Sequence, residues 1–134
     1  MNKQLIERLY KELIIPESIQ PYKFEKRDGS HILAYNPICG DKYRIYTGDK
    51  MSYYGQGCAL SKASGSLMIR HLEKYSFSDA REIIQQFIAA VRTGSAEKIK
   101  NSSLSLLVTL KNFDGREDCI LLTWLAMYEY LKNK

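Results

Sequence analysis

Two glycine-flanked cysteine segments restrict how this chain can fold. One reads Asn36-Pro-Ile-Cys-Gly-Asp41, and the other reads Gly55-Gln-Gly-Cys-Ala-Leu-Ser61. Glycine adopts backbone conformations that other residues avoid, and it lets the backbone approach a neighbouring group closely. We therefore expect a tight bend next to Cys39 and another next to Cys58. The strands and helices of the chain are predicted relative to these two bends.

Strand patterns lie between the two bends. His31–Tyr35 precedes the first bend, and Asp41–Tyr46 and Lys50–Tyr54 follow it. Thr47-Gly48-Asp49 between the last two is a hairpin signal. The sequence therefore predicts a small antiparallel sheet, with Cys39 in the turn between its first two strands.

Helical patterns surround this block. Apolar residues recur at helical spacing in Asn2–Leu13, in Cys58–Lys74, in Ser76–Thr93, which Gly94 ends, and in Arg116–Lys132. Ile15–Gly29 is predicted to be a loop after the first helix, while Leu104–Leu110 fits a strand or a short helix equally well.

Length and composition fit one α+β domain over residues 1–134, a three-stranded antiparallel sheet packed against helices. The apolar content is 45%, enough for a packed core without disulfides. Three cysteines form no disulfide framework and suit a reducing cytoplasm. No apolar run is long enough to span a membrane. The net charge of +5 comes from scattered Lys and Arg, so we expect no nucleic-acid partner.

Chemistry is expected at the cysteines. Cys39 and Asp41 are two residues apart, so in an extended segment their side chains point the same way. Cys58 begins a helical pattern and Cys119 lies in the first turn of another, and a helix N-terminus favours thiolate over thiol. Arg116, one turn before Cys119, adds a positive charge that supports the thiolate.

Three thiolates and one carboxylate form a ligand set that zinc accepts, and thiolates also hold iron–sulfur clusters. An oxygen ligand is harder than a fourth thiolate and makes the site labile. Spacing alone leaves another interpretation open. Cys39, Cys58 and Cys119 match no Cys-x-x-Cys pattern, and a lone cysteine is commonly a small buried apolar residue.

The chain resembles the IscU/NifU-type iron–sulfur cluster assembly family. The resemblance is carried by the two glycine-flanked cysteine segments and by Arg116-x-x-Cys119 with Trp124, in that order along nearly the whole chain. The long stretch between Cys58 and Cys119 resembles the SufU-like branch, which has an insertion there and in which Leu104–Leu110 would be helical. The scaffold branch has a histidine just before the third cysteine, where this chain has Asp118.

The resemblance implies a function. SufU-like proteins bind zinc through three cysteines and an aspartate, here Cys39, Asp41, Cys58 and Cys119. They accept persulfide sulfur from a SufS-like cysteine desulfurase on the first cysteine, here Cys39. The sulfur would pass to downstream iron–sulfur assembly or acceptor proteins. The alternatives are a scaffold on which a [2Fe–2S] cluster is assembled and transferred, and a purely structural zinc domain that recruits partners.

Overall fold

An antiparallel sheet is formed by residues between 31 and 56. The structure is a computed structural model that describes residues 2–48 and 50–133. Within these ranges the sheet has three strands in the order β1 (His31–Tyr35), β2 (Lys42–Tyr46) and β3 (Ser52–Gln56). Both neighbouring pairs are antiparallel. Helices pack on one face of the sheet, so the predicted α+β class and sheet are confirmed.

Alternation along β2 decides which face of the sheet is buried. Tyr43 and Ile45 are fully buried, while Lys42 before them and Arg44 between them are exposed. Ala34 of β1 lies opposite Tyr43 and is also buried. A strand with period two therefore directs Tyr43 towards the helices.

β3 begins and ends two residues later than the predicted Lys50–Tyr54. The sequence suggests a bend at Gly55, but Gly55 pairs with Tyr43 inside the strand. A Cβ at Gly55 would lie only 2.1 Å from the carbonyl oxygen of Lys42. The glycine is thus needed for close approach of two strands. The predicted hairpin turn includes Asp49, which lies outside the described residues.

The first helix is longer than predicted, and the predicted loop Ile15–Gly29 is wrong in its first part, because Ile15–Ile19 is helical. Helix α1 (Asn2–Leu9) continues through a π-helical turn at Tyr10–Ile14 into α2 (Ile15–Ile19). In the π-turn the backbone N–H of Ile15 donates to the carbonyl oxygen of Tyr10. Pro16 follows directly; its ring would clash with a regular α-helical turn, and the wider turn accommodates it.

Longer helices complete the fold. Asn101 caps the segment that fitted either a strand or a helix, because its side chain accepts a hydrogen bond from the N–H of Leu104. That segment is helical, as the resemblance implied. The helices are α3 (Ala59–Leu72), α4 (Phe77–Thr93), α5 (Ser102–Asp114) and α6 (Glu117–Leu131).

Helix α3 lies in the core, where it packs against both β3 and α6. A Cβ at Gly65 would lie 2.7 Å from the ring of Tyr53 in β3, so the glycine permits close approach of helix and sheet. On the other side the indole N–H of Trp124 donates to Ser64 Oγ over 2.9 Å. These contacts fix α3, and with it the start of α3 where Cys58 lies.

Among the residues that the structure describes, none of the helices combines the length and apolar character that crossing a membrane requires.

Candidate metal centre

Three of the four predicted ligands come together from distant parts of the chain. One ligand atom each from Asp41, Cys58 and Cys119 all lie within 4.8 Å of one another. Asp41 precedes β2, Cys58 precedes α3, and Cys119 lies in the first turn of α6. The sheet and two helix N-termini therefore converge on one point.

Cys39, the fourth predicted ligand, lies in the exposed turn between β1 and β2. The Asn36 side chain accepts a hydrogen bond from the N–H of Ile38, and the Asn36 carbonyl accepts one from the N–H of Gly40. Gly40 has φ +84°, which closes the turn. Cys39 is exposed and is not one of the three residues that converge.

Cys58 is held where α3 begins. It adopts the extended conformation of an N-cap residue, and its Sγ accepts a hydrogen bond from the N–H of Ser61 over 3.3 Å. The N–H of Cys58 donates to Asp41 Oδ1 over 3.3 Å. Cys58 thus takes the place of the oxygen-bearing residue that is usual at an N-cap. Its own backbone N–H links it to the Asp41 carboxylate.

Arg116 contacts Cys119, as the sequence predicted. Its Nη2 lies 3.7 Å from Cys119 Sγ, and its Nη1 donates to the Tyr10 hydroxyl over 3.0 Å. Arg116 lowers the pKa of Cys119, yet burial and the nearby Cys58 together raise this pKa to about 11. The net shift is opposite to the expected support of the thiolate, because desolvation disfavours the charged form more than the guanidinium favours it.

Asp41 gives the clearest sign that a cation fits here. The residue is only 6% exposed, and its Oδ2 atom has no hydrogen-bond partner among the residues that the structure describes. A buried carboxylate oxygen without a partner is costly, and a cation removes that cost. Two sulfurs and one carboxylate oxygen are a donor set that zinc accepts, and the residues present therefore fit the metal. Asp118, which could have been a further ligand, is exposed and lies outside this group.

Two neighbours of the cluster were missed by the sequence analysis. The Tyr43 hydroxyl and Ser61 Oγ are 2.8 Å apart and buried, next to Cys58. Burial raises the pKa of Tyr43 well above its ordinary value. The position of Tyr43 was a usable signal, since it is two residues after Asp41, and side chains two residues apart in an extended chain point the same way.

Curated relatives of this chain have names from iron–sulfur cluster assembly. The chain is 26% identical to the iron-sulfur cluster assembly scaffold protein IscU of Thermotoga maritima, over 73% of each protein. It is 27% identical to the scaffold protein IscU of Streptococcus pyogenes, over 96% of this chain and 86% of that one. It is 25% identical to the zinc-dependent sulfurtransferase SufU of Bacillus subtilis, over 91% of this chain and 88% of that one.

Solved structures share the fold. A hypothetical protein superposes with TM-score 0.78 and 26% identity, over 94% of this chain and 98% of the other. A proposed scaffold protein for the SUF system, FiSufU from Fervidobacterium islandicum AW-1, superposes with TM-score 0.73 and 24% identity over 93% and 98%. No family model matches the chain. The chain is therefore similar in sequence to IscU and SufU proteins and shares its fold with a SufU-type structure, in agreement with the motif resemblance to the IscU/NifU-type family.

Proposed function

We propose that this protein is a SufU-like sulfur acceptor for iron–sulfur cluster assembly. The proposal rests on the cluster of Asp41, Cys58 and Cys119, in which the buried carboxylate has an oxygen without a partner. We infer that these residues hold zinc, with Cys39 able to complete the set of four. Bound zinc would hold the sulfurs as thiolates and fix the positions of their loops.

Exposure separates the roles of the cysteines. Cys58 and Cys119 are partly buried, whereas Cys39 is exposed in its turn. A partner enzyme can therefore reach the Cys39 sulfur directly. The partner in this proposal is a SufS-like cysteine desulfurase that carries a persulfide on its own cysteine.

The transfer is a thiol–persulfide exchange. The Cys39 thiolate attacks the terminal sulfur of the persulfide, and a new sulfur–sulfur bond forms on Cys39. The original sulfur–sulfur bond breaks, and the desulfurase cysteine leaves as a thiolate. No external oxidant or reductant is required. Cys39 then carries the sulfur to downstream assembly or acceptor proteins, in a reducing compartment such as the cytoplasm.

The test measures sulfide release by a SufS-like desulfurase, in the presence of a reductant, with and without this protein. We expect the wild-type protein to stimulate release and Cys39→Ser to abolish the stimulation. Zinc content and thermal unfolding of the variant show whether the rest of the site is intact. If the wild-type protein gives no stimulation, or if Cys39→Ser stimulates fully, the acceptor function is wrong.

A cluster scaffold is the second candidate, and the names of the two IscU relatives favour it. In that case the thiolates and Asp41 would hold a [2Fe–2S] cluster, with the oxygen ligand making it easy to transfer. Anaerobic reconstitution followed by visible absorption separates the two functions. A stable coloured cluster favours the scaffold, and a colourless protein with one zinc ion favours the sulfur acceptor.

A further inference from the structure

We propose that Tyr43 and Ser61 form a hydrogen-bonded pair that positions Cys58 as a metal ligand. The inference rests on the proposed zinc site and adds to it two residues that do not themselves bind the metal. Groups that hydrogen-bond to metal ligands orient them, and their loss commonly weakens metal affinity about 10–100-fold.

Ser61 is the residue that contacts Cys58 directly. Its backbone N–H donates to Cys58 Sγ over 3.3 Å, and its Oγ lies 3.6 Å from the same sulfur. The Ser61 hydroxyl also donates a hydrogen bond to the Cys58 carbonyl oxygen over 3.2 Å. Every one of these contacts depends on where the first turn of α3 places Ser61.

Tyr43 fixes the orientation of the Ser61 hydroxyl. The two side-chain oxygens are 2.8 Å apart, and both residues are at most 1% exposed. Each hydroxyl carries one proton. If the Tyr43 hydroxyl donates to Ser61 Oγ, the proton of Ser61 is left for Cys58. In the structure that proton is donated to the Cys58 carbonyl oxygen over 3.2 Å, and the Ser61 N–H donates to the Cys58 sulfur over 3.3 Å, so Ser61 holds both the backbone and the side chain of Cys58.

The hydroxyl pair also supports the backbone that leads into Cys58. A Cβ at Gly57 would lie 2.4 Å from the Tyr43 hydroxyl oxygen and 2.7 Å from Ser61 Oγ. The same Cβ would lie 2.9 Å from Asp41 Cγ. The backbone at Gly57 is therefore packed directly between the hydroxyl pair and the carboxylate, and the pair limits how far the Cys58 segment can move.

Tyr53 offers a matched control for Tyr43. It is equally buried in the neighbouring strand, and its hydroxyl donates over 2.6 Å to the carbonyl oxygen of Lys62 in α3. Loss of the Tyr43 hydroxyl or of the Tyr53 hydroxyl removes a hydrogen bond between the sheet and α3. Of the two bonds, the one from Tyr43 ends on a side chain that contacts Cys58.

The experiment measures the zinc dissociation constant by competition with a chromogenic chelator, for wild type, Tyr43→Phe, Ser61→Ala and Tyr53→Phe. We expect Tyr43→Phe to weaken zinc binding about tenfold and Ser61→Ala by at least as much. Tyr53→Phe should bind as wild type does. The double variant Tyr43→Phe/Ser61→Ala should lose no more than Ser61→Ala alone, because Tyr43 acts through Ser61.

The possible failures are distinguishable. If wild type and Tyr43→Phe bind zinc equally, the positioning role is wrong and the zinc site stands. If Tyr43→Phe and Tyr53→Phe weaken binding to the same degree, the effect is a general loss of sheet–helix packing and the positioning role is again wrong. If the wild-type protein itself binds no zinc, the proposed zinc site and this inference both fall.

Discussion

The two glycine-flanked cysteine segments look alike in sequence but differ in the folded protein. Cys39 lies in an exposed turn, and nothing in the structure would contact a Cβ at the neighbouring Gly40 within 4 Å. Cys58 begins a helix, and a Cβ at Gly57 would meet Tyr43, Ser61 and Asp41, all closer than 3.0 Å. One segment is open to solvent, while the other is enclosed.

The difference in exposure suits the sulfurs of Cys39 and Cys58 to different roles. A sulfur held by backbone and side-chain donors next to a buried carboxylate is suited to remain a ligand. A sulfur in an exposed turn is suited to meet the thiol or persulfide of another protein. Sequence context alone, a cysteine beside glycine, does not distinguish these cases. The distinction comes from whether a helix begins at the cysteine.

The largest effect should come from adding a methyl group at Gly57. We expect Gly57→Ala to lose zinc binding and about 1–3 kcal/mol of unfolding free energy, because the new Cβ would displace atoms around Asp41 and Cys58. Gly40→Ala should cost only about 1–2 kcal/mol, from its positive φ, and keep zinc. Urea unfolding and zinc content check both.

Gly48→Ala is the control for this pair, since, apart from its chain neighbours, none of the described residues has an atom within 4 Å of its Cβ position. It should match wild type in both measurements. Equal zinc loss in Gly40→Ala and Gly57→Ala would contradict the division into an open and an enclosed segment.

The contrast also shows what the sequence could predict. β1 was predicted with its observed bounds, because alternation and the bend after it are local signals. The extent of β3 and of the first helix was not. Gly55 lies inside a strand because of an approach to β2, and Pro16 lies inside a helix because a π-turn precedes it. Both outcomes depend on packing beyond the residue's own neighbours.

The candidate site divides in the same way. The approach of Asp41, Cys58 and Cys119 agrees with the sequence analysis, which had the motif resemblance to guide it. The raised pKa of Cys119 was not predictable, because burial by residues from other elements outweighs the local effects of the helix N-terminus and Arg116. The contact between Tyr43 and Ser61 was missed, because no local sequence pattern links a strand tyrosine to a serine 18 residues later.

A smaller effect than that of Gly57→Ala is expected from Asp41→Asn, which keeps the size of the side chain and removes its charge. Zinc affinity should fall by about a hundredfold, while the zinc-free protein should be no less stable than wild type. The reason is that a buried carboxylate oxygen without a partner costs free energy until a cation binds. Chelator competition and urea unfolding of zinc-free protein measure the two quantities.

Asp118→Asn makes the same chemical change at an exposed position beside Cys119 and serves as the control. It should leave zinc affinity close to that of wild type. A zinc-binding protein in which Asp41→Asn lowers stability but leaves both zinc affinity and sulfur transfer unchanged would instead fit a purely structural metal domain.

The smallest expected effect is a difference between Cys119 and Cys39 in their rate of alkylation, measured in zinc-free protein. Cys119 should be alkylated far more slowly than Cys39 at pH 8, because a pKa of about 11 leaves about one Cys119 in a thousand as thiolate. Its rate should rise about tenfold per pH unit up to that pKa. Mass spectrometry of peptides after timed alkylation follows each cysteine separately.

Two variants sharpen this last comparison, with opposite signs. Cys58→Ser should speed alkylation of Cys119, because Cys58 raises the pKa of Cys119, and Arg116→Gln should slow it, because the guanidinium lowers that pKa. The raised pKa also predicts that the zinc-free fold loses stability as pH rises from about 9 to about 11, where the unfolded chain gives up the proton first. Alkylation of Cys119 as fast as Cys39 at pH 8 would show that the second sulfur is no more enclosed than the first.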